Sequence, residues 1–294
     1  MFKRWRKPKK ETVAPTLTFD QTSEQPDYEV TASVFTDPGC VREINEDSGR
    51  YFHPDDADLL SNKGLLFIVA DGMGGHSAGE VASRMAVECI SRFYYEDSDD
   101  PIESLKNAFQ GANREIHRAS LKDSGLAGMG TTCTALVLRN GSAISAHVGD
   151  SRLYLVRDGQ IYLMTEDHSA VMEMVKRGMI SLEEARHHPD KNVILRAMGS
   201  HPEVEVTIWD SPFPVRVGDS FLLCSDGLYD LVEDEEIRRM VVSLDPTSAC
   251  QTLIAMARER GGHDNITVAI VNLKARGEEP QRPVPTTRVV EVLE

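Results

Sequence analysis

Hydrophobic positions along this chain alternate between a period near two and a period near 3.6. Residues 30–36, VTASVFT, mix β-branched with small residues and predict a first strand. Residues 65–70, LLFIVA, form a continuous apolar run of strand length that Asp71-Gly72 closes, so a buried strand is expected to end where a glycine-rich turn begins. Ala82, Met85, Ala86, Cys89, Ile90 and Phe93 then recur on one helical face, after the capping-box spacing Ser77 to Glu80. Ile102, Leu105, Phe109, Ala112 and Ile116 mark a second amphipathic helix.

Residues 128–168 read as four short strands, with turns at Asn140-Gly141, Gly149-Asp150 and Asp158-Gly159. Hairpins in series imply antiparallel pairing. Residues 169–199 interrupt that rhythm. Val171, Met174 and Val175 suggest a short helix stopped by Gly178, and Ser181 to Glu184 starts another, so the segment reads as an inserted flap. Strands resume at 204–209 and 220–224, helices follow at 234–243 and 246–260, and 266–272 is a last strand.

Acidic residues gather at the ends of these strands. Asp71, Asp150, Asp226 and Asp264 each stand beside or close to glycine at a strand end, and Asp47 lies in the charged loop DPGCVREINEDSG. Asp-Gly is also an ordinary turn dipeptide, and Asp158-Gly159 is read as nothing more. If the other strand ends converge, their carboxylates repel one another, and hard divalent cations relieve that repulsion. Two or three Mg²⁺ or Mn²⁺ ions would activate water and polarise a phosphoryl oxygen. Arg42, five residues before Asp47, offers a forked donor for phosphate, although a surface salt bridge would explain it as well.

The formal net charge of −15 argues against broad nucleic-acid binding. The first ten residues, MFKRWRKPKK, oppose that balance with six Lys/Arg and no acid. Residues 1–27 read as a basic, polar, disordered tail, with weak attraction to an anionic membrane as the sharper alternative. Residues 275–294 read as a second tail, leaving 28–274 as the folded domain. No run is long enough to span a membrane, and no apolar segment follows the basic start as a signal peptide requires. The five cysteines form no C-x-x-C pair, and a cytoplasmic protein with reduced thiols is expected. His168, His187, His188 and His201 have no zinc spacing and are read as surface or locally hydrogen-bonded.

Competing chemistries lack their parts. Cys133 and Arg139 have the Cys-x5-Arg spacing of cysteine phosphatases, but the intervening TALVL is an apolar strand segment and no glycine-rich loop of amide donors. No G-x-x-x-x-G-K-[ST] loop, G-x-S-x-G elbow or D-x-[DN]-x-[DN]-G calcium loop occurs.

The ordered motifs REINEDS, VADGMGGHSAGEVAS, GTTCTALVL, HVGDSRLYL, LCSDGLYD and GGHDNITVAIV resemble the metal-dependent protein serine/threonine phosphatases of type 2C, in their bacterial wording, over residues 30–273. The resemblance implies an α+β fold, a four-layer αββα sandwich of two antiparallel sheets flanked by helices, with metals at one end. By position, it implies that Asp71 bridges two metals, that the Gly72 carbonyl binds one, and that Asp226 and Asp264 complete the second site. Asp150 would hold a third metal, with Asp230 near it. Arg42 would bind substrate phosphate, and Asp47 would orient the attacking water with Glu46 close by. The flap would influence substrate choice, phosphorylated proteins would be the substrates, and a Ser/Thr protein kinase the functional counterpart. One departure is Met73, where many such enzymes have a histidine that is a candidate general acid. His76 and metal-bound water are the remaining proton sources. A phosphoprotein-binding pseudo-phosphatase is the non-enzymatic alternative, and it would be favoured had a ligand aspartate been replaced; none of the main ones is.

Overall fold

The structure, a computed structural model, describes residues 28–74 and 78–276. The chain begins with β1 (Tyr28–Asp37), β2 (Asp47–Phe52), α1 (Ala57–Lys63) and β3 (Leu65–Met73). Two long helices follow, α2 (Ala78–Glu96) and α3 (Pro101–Lys122). Then come β4 (Gly130–Thr131), β5 (Cys133–Arg139), β6 (Ser142–Val148), β7 (Arg152–Arg157) and β8 (Gln160–Leu163). Residues 169–199 carry α4 (Ala170–Lys176) and α5 (Leu182–Arg186). The chain continues through β9 (Thr207–Ile208), β10 (Phe213–Pro214), β11 (Ser220–Cys224), α6 (Asp226–Tyr229), α7 (Asp234–Ser243), α8 (Pro246–Glu259) and β12 (Ile266–Ala275).

The strands make two sheets. One has the order β1-β12-β11-β7-β8, the other β10-β6-β5-β3-β2, with β4 and β9 as short additions on β3 and β6. All pairings are antiparallel. Three apolar cores explain why β3 as far as Ala70, and most of β12, are apolar on both faces rather than alternating. In β3, Leu66, Ile68 and Ala70 pack under α2 and α3, whereas Phe67 and Val69 point into the space between the sheets. In β12, Ile266, Val268 and Ile270 pack under α7 and α8, whereas Ala269, Val271 and Leu273 face the other sheet. Strands covered on both faces lose the two-residue alternation. The architecture is therefore helices, sheet, sheet, helices.

Three expectations change. Asp71 does not end its strand: β3 continues through Gly72 to Met73, because Gly72 and Met73 pair with Thr131 and Gly130. Gly72 serves close packing there, since a Cβ on it would stand 2.1 Å from the Gly79 carbonyl oxygen and 2.5 Å from that of Glu46. Asn140-Gly141 and Asp158-Gly159 make hairpin turns with both central residues at positive φ. Gly149-Asp150 instead carries the chain from β6 in one sheet to β7 in the other. The strand expected at 204–209 shortens to Thr207–Ile208.

Candidate metal centre

The two sheets present their acidic ends at one rim. Asp47 opens β2 directly opposite Asp71 on β3. Asp150 lies where the chain crosses between sheets, Asp226 opens α6 just after β11, and Asp264 stands two residues before β12. In the second sheet, Cys224 pairs with both Arg152 and Val268, so the ends of β11, β7 and β12 are level.

These carboxylates lie within electrostatic range of one another. Burial, then the charges of Asp47, Asp226, Asp150 and Asp264, hold the Asp71 carboxyl well above the usual range. Asp226 is raised in the same way by burial, Asp150, Asp230, Asp264 and Asp47. Asp150 is pushed up to about 7 by burial and then Asp167. Asp47 is pushed up to about 6 by burial, against the pull of the Ser225 hydroxyl on its Oδ2. Glu46 is raised by burial, opposed by the nearby Gly79 amide at the start of α2.

Three oxygens of this group, Asp47 Oδ1, Asp226 Oδ1 and Glu46 Oε1, are buried with no hydrogen-bond partner. Hard oxygen donors turned inward with no protein donor to satisfy them suit divalent cations such as Mn²⁺ or Mg²⁺. Among the described residues, no three acidic, His or Cys side chains are already closed into a chelating cluster. Asp264 is turned toward protein donors: its Oδ2 accepts from Arg42 Nη2 at 2.7 Å and its Oδ1 from the Asn265 amide at 2.9 Å.

Arg42 is half exposed at the edge of the group. Its loop is pinned by Asn265, whose Nδ2 donates to the Pro38 and Ile44 carbonyls and whose Oδ1 accepts from the Glu46 amide. Asp230 reaches toward the same carboxylates, yet pairs with Lys191 from the flap. His76 lies outside the described residues. Cys133 is fully buried in β5 with its thiol held far above the usual range by burial, which removes it as a nucleophile.

Sequence reasoning missed the polar side chains that aim these groups. The Asp71 backbone is held by Thr132, whose hydroxyl accepts from the Asp71 amide at 3.1 Å, and by Thr131, whose hydroxyl donates to the Asp71 carbonyl at 2.8 Å. Thr132 also meets the Ser151 hydroxyl at 2.7 Å, and Thr134 donates to the Ser151 carbonyl at 2.8 Å, so Asp71 and Asp150 are tied together across the two sheets. Ser225 donates to Asp47 Oδ2 at 2.7 Å and accepts from the Thr267 amide at 2.9 Å. The available signal was polarity inside apolar segments: the hydroxyls of GTTCTALVL and LLCSDG are fully buried and must find partners.

The sequence profile of the family described as Protein phosphatase 2C matches residues 45–259. Serine/threonine phosphatase stp of Listeria innocua is 40% identical over 252 residues, covering 83% of this chain and 97% of that protein. The crystal structure of the Mycobacterium tuberculosis serine/threonine phosphatase PstP/Ppp superposes with a TM-score of 0.74 at 37% identity, covering 83% of this chain and 99% of that one. A structure of the catalytic domain of serine threonine protein phosphatase PstP in complex with two manganese ions matches with a TM-score of 0.70 at 34% identity, over 83% of this chain and 98% of that chain. The fold and the acidic rim define a metal-dependent phosphatase. The chain belongs to the protein phosphatase 2C family.

Proposed function

We propose that this chain hydrolyses phosphoserine and phosphothreonine monoesters of proteins with water activated at a binuclear Mn²⁺ or Mg²⁺ centre. The observation that carries the reading is the group of acidic side chains gathered at one rim, with buried, unpartnered oxygens on Asp47, Asp226 and Glu46. Asp71 and the Gly72 carbonyl, with Asp226 and Asp264, would hold the pair of ions; Asp150, with Asp230, would hold a third. Ions bound there would polarise a phosphoryl oxygen and lower the pKa of a bound water.

The chain's own groups supply the rest. Arg42 is a forked donor poised at the rim, and its partly exposed ion pair with Asp264 is cheap to exchange for substrate phosphate. Asp47, held by Ser225, orients the attacking water, with Glu46 fixed beside it against α2. Met73 cannot give a proton to the departing serine or threonine oxygen, so that proton comes from water or from His76. The Lys191–Asp230 pair sets the flap beside the third position, in keeping with a flap that screens phosphoprotein substrates.

In this reading residues 28–274 are the phosphatase domain, 1–27 and 275–294 are tails, and a Ser/Thr protein kinase places the phosphates that this enzyme removes. No helix among the described residues is long and apolar enough to cross a membrane. A cytoplasmic location, with weak membrane contact through the basic first residues, is part of the same proposal. The test is hydrolysis of a phosphothreonine peptide by purified protein stripped of metal, then supplied with Mn²⁺ or Mg²⁺. Release of phosphate only with added ions supports the reading; equal release in excess chelator removes it.

A further inference from the structure

The chain enters the flap through Asp167 and His168, and both are buried. His168 grips Gly149 through both backbone groups of that glycine. The Gly149 amide donates to His168 Nδ1 at 3.0 Å, and the His168 amide donates to the Gly149 carbonyl at 2.8 Å. With Nδ1 accepting, the ring proton sits on Nε2, which donates to Thr207 Oγ1 on β9 at 2.9 Å; Arg196 Nη1 approaches the same nitrogen only to 3.5 Å. The His147 ring packs on that of His168 with centroids 4.6 Å apart.

Asp167 takes the other side of the same turn. Its Oδ2 accepts from Arg152 Nη2 at 2.7 Å and its Oδ1 from Arg152 Nε at 3.1 Å. The Arg152 guanidinium lies 3.7 Å above the Tyr229 ring, and the Tyr229 hydroxyl donates to the Asp150 carbonyl at 3.2 Å. The clamp has a firm base, because the two ends of the flap are stitched together. Ser169 bridges Ile194, the Ala170 amide donates to the Val193 carbonyl, and the Leu195 amide donates to the His168 carbonyl.

We propose that Asp167 and His168 are positioning residues for Asp150: they hold the Gly149–Arg152 turn from both sides and so fix where the Asp150 carboxylate stands. The inference rests on the reading of Asp150 as a cation ligand. A turn between two different sheets has no hairpin ladder to hold it, and Gly149 at φ 103° has the freedom to wander without one. Its backbone groups are satisfied by His168, at the entrance to the flap, instead.

Two near-isosteric variants of the full chain separate the parts of the His168 grip. In His168→Asn the amide oxygen takes the place of Nδ1 and still accepts from Gly149, while the tie to Thr207 is lost. In His168→Gln the amide reaches Thr207, and the Gly149 amide loses its acceptor. Calorimetric Mn²⁺ titration is read beside Asp150→Ala, which defines the binding step that needs Asp150. That step is expected near wild type in His168→Asn and weakened about tenfold in His168→Gln. Amide hydrogen exchange without metal gives a second reading, with residues 149–151 exchanging about tenfold faster in His168→Gln alone. Equal exchange at 149–151 in both variants would overturn the proposal, as would an Asp150-dependent step weakened more by Asn than by Gln. If Asp150→Ala leaves every Mn²⁺ step unchanged, the ligand reading of Asp150 fails, while the exchange comparison still decides the clamp. Should His168→Gln not fold, Asp167→Asn loosens the Arg152 side, and unchanged exchange at 149–152 there would overturn the proposal equally.

Discussion

Two aspartates flank strand β11, Asp219 before it and Asp226 after it, and the protein treats them oppositely. Asp219 is almost fully buried and fully answered. Arg157 donates to both its oxygens, at 2.7 and 2.6 Å, and the Arg216 amide adds a third bond at 2.7 Å. Asp226 has a buried oxygen with no partner and lies among other acids that raise its pKa. Both bury carboxylate oxygen, so burial alone does not mark function. The mark is burial that the protein leaves uncompensated, because such a site keeps its free energy for something that arrives from outside.

Neutralising each acid tests this directly. Asp226→Asn should lower metal-supported turnover by roughly a thousandfold or more, since water activation and phosphoryl polarisation fail together. The same change should raise the unfolding midpoint of chelated protein, because it removes one of several repelling charges. Steady-state kinetics and thermal unfolding in chelator read the two effects. A variant with wild-type turnover, or a lower midpoint in chelator, would break the contrast from the functional side.

Asp219→Asn should do the reverse. Removing one partner of a buried pair costs about 3–5 kcal/mol, and the amide oxygen that Asn keeps places this variant toward the lower end. The unfolding midpoint should drop, while turnover per folded molecule and Mn²⁺ affinity stay at wild type. Loss of turnover in protein that is demonstrably folded would mean that the two ends of β11 are not independent.

Arg42 stands between these extremes. It is the cation that answers an acid of the rim, Asp264, yet the pair is partly exposed. Arg42→Ala should remove a charge-assisted phosphate contact of about 1.5–3 kcal/mol, roughly ten- to a hundred-fold in kcat/KM. It should leave the paired metals bound. Calorimetry that shows the pair lost in Arg42→Ala would make the residue structural.

How the acids were legible in the sequence, and their supports were not, follows from the same contrast. An apolar run ending in Asp-Gly is a local pattern, so Asp71 and Asp226 could be read one strand at a time. That Asp150 leaves one sheet for the other could not. Gly149-Asp150 carries the same turn signal as Asp158-Gly159, and only the choice of partner strand separates a crossing from a hairpin. The same holds for Thr132 with Ser151, and for Gly149 with His168, each pair 19 residues apart in sequence. Polar residues in apolar strands announced that partners must exist, without naming them. Lys191 was invisible in another way, as a flap lysine with nothing local to mark Asp230 as its partner.

The smallest expected effect, in degrees of midpoint, sets two kinds of buried titratable group against each other in metal-free protein. Asp150 at about 7, and Asp71 and Asp226 raised well above the ordinary range, keep protons in the folded state that the unfolded chain has already released. Where the folded state binds more protons, stability falls as pH rises, so these groups cost the chelated protein stability from the ordinary carboxylate range, about pH 4, up through the folded-state value of about 7 for Asp150. His147 and His168 act on the other side. Burial lowers them to about 4 and about 3, so below the ordinary histidine value the unfolded chain binds the extra protons and stability falls as pH drops. Over about pH 4 to 6.5 the two histidines therefore offset part of the carboxylates' loss, and above about pH 6.5 the carboxylates act alone, so the fall of stability with rising pH should steepen there. Saturating Mn²⁺ should flatten the fall, because bound cations favour the ionised carboxylates. In Asp226→Asn the fall should become shallower across this window. Thermal unfolding in chelator from about pH 4 to about pH 8 checks this, and stability that climbs steadily above about pH 6.5 without metal would show that the rim acids are not strained by ionisation.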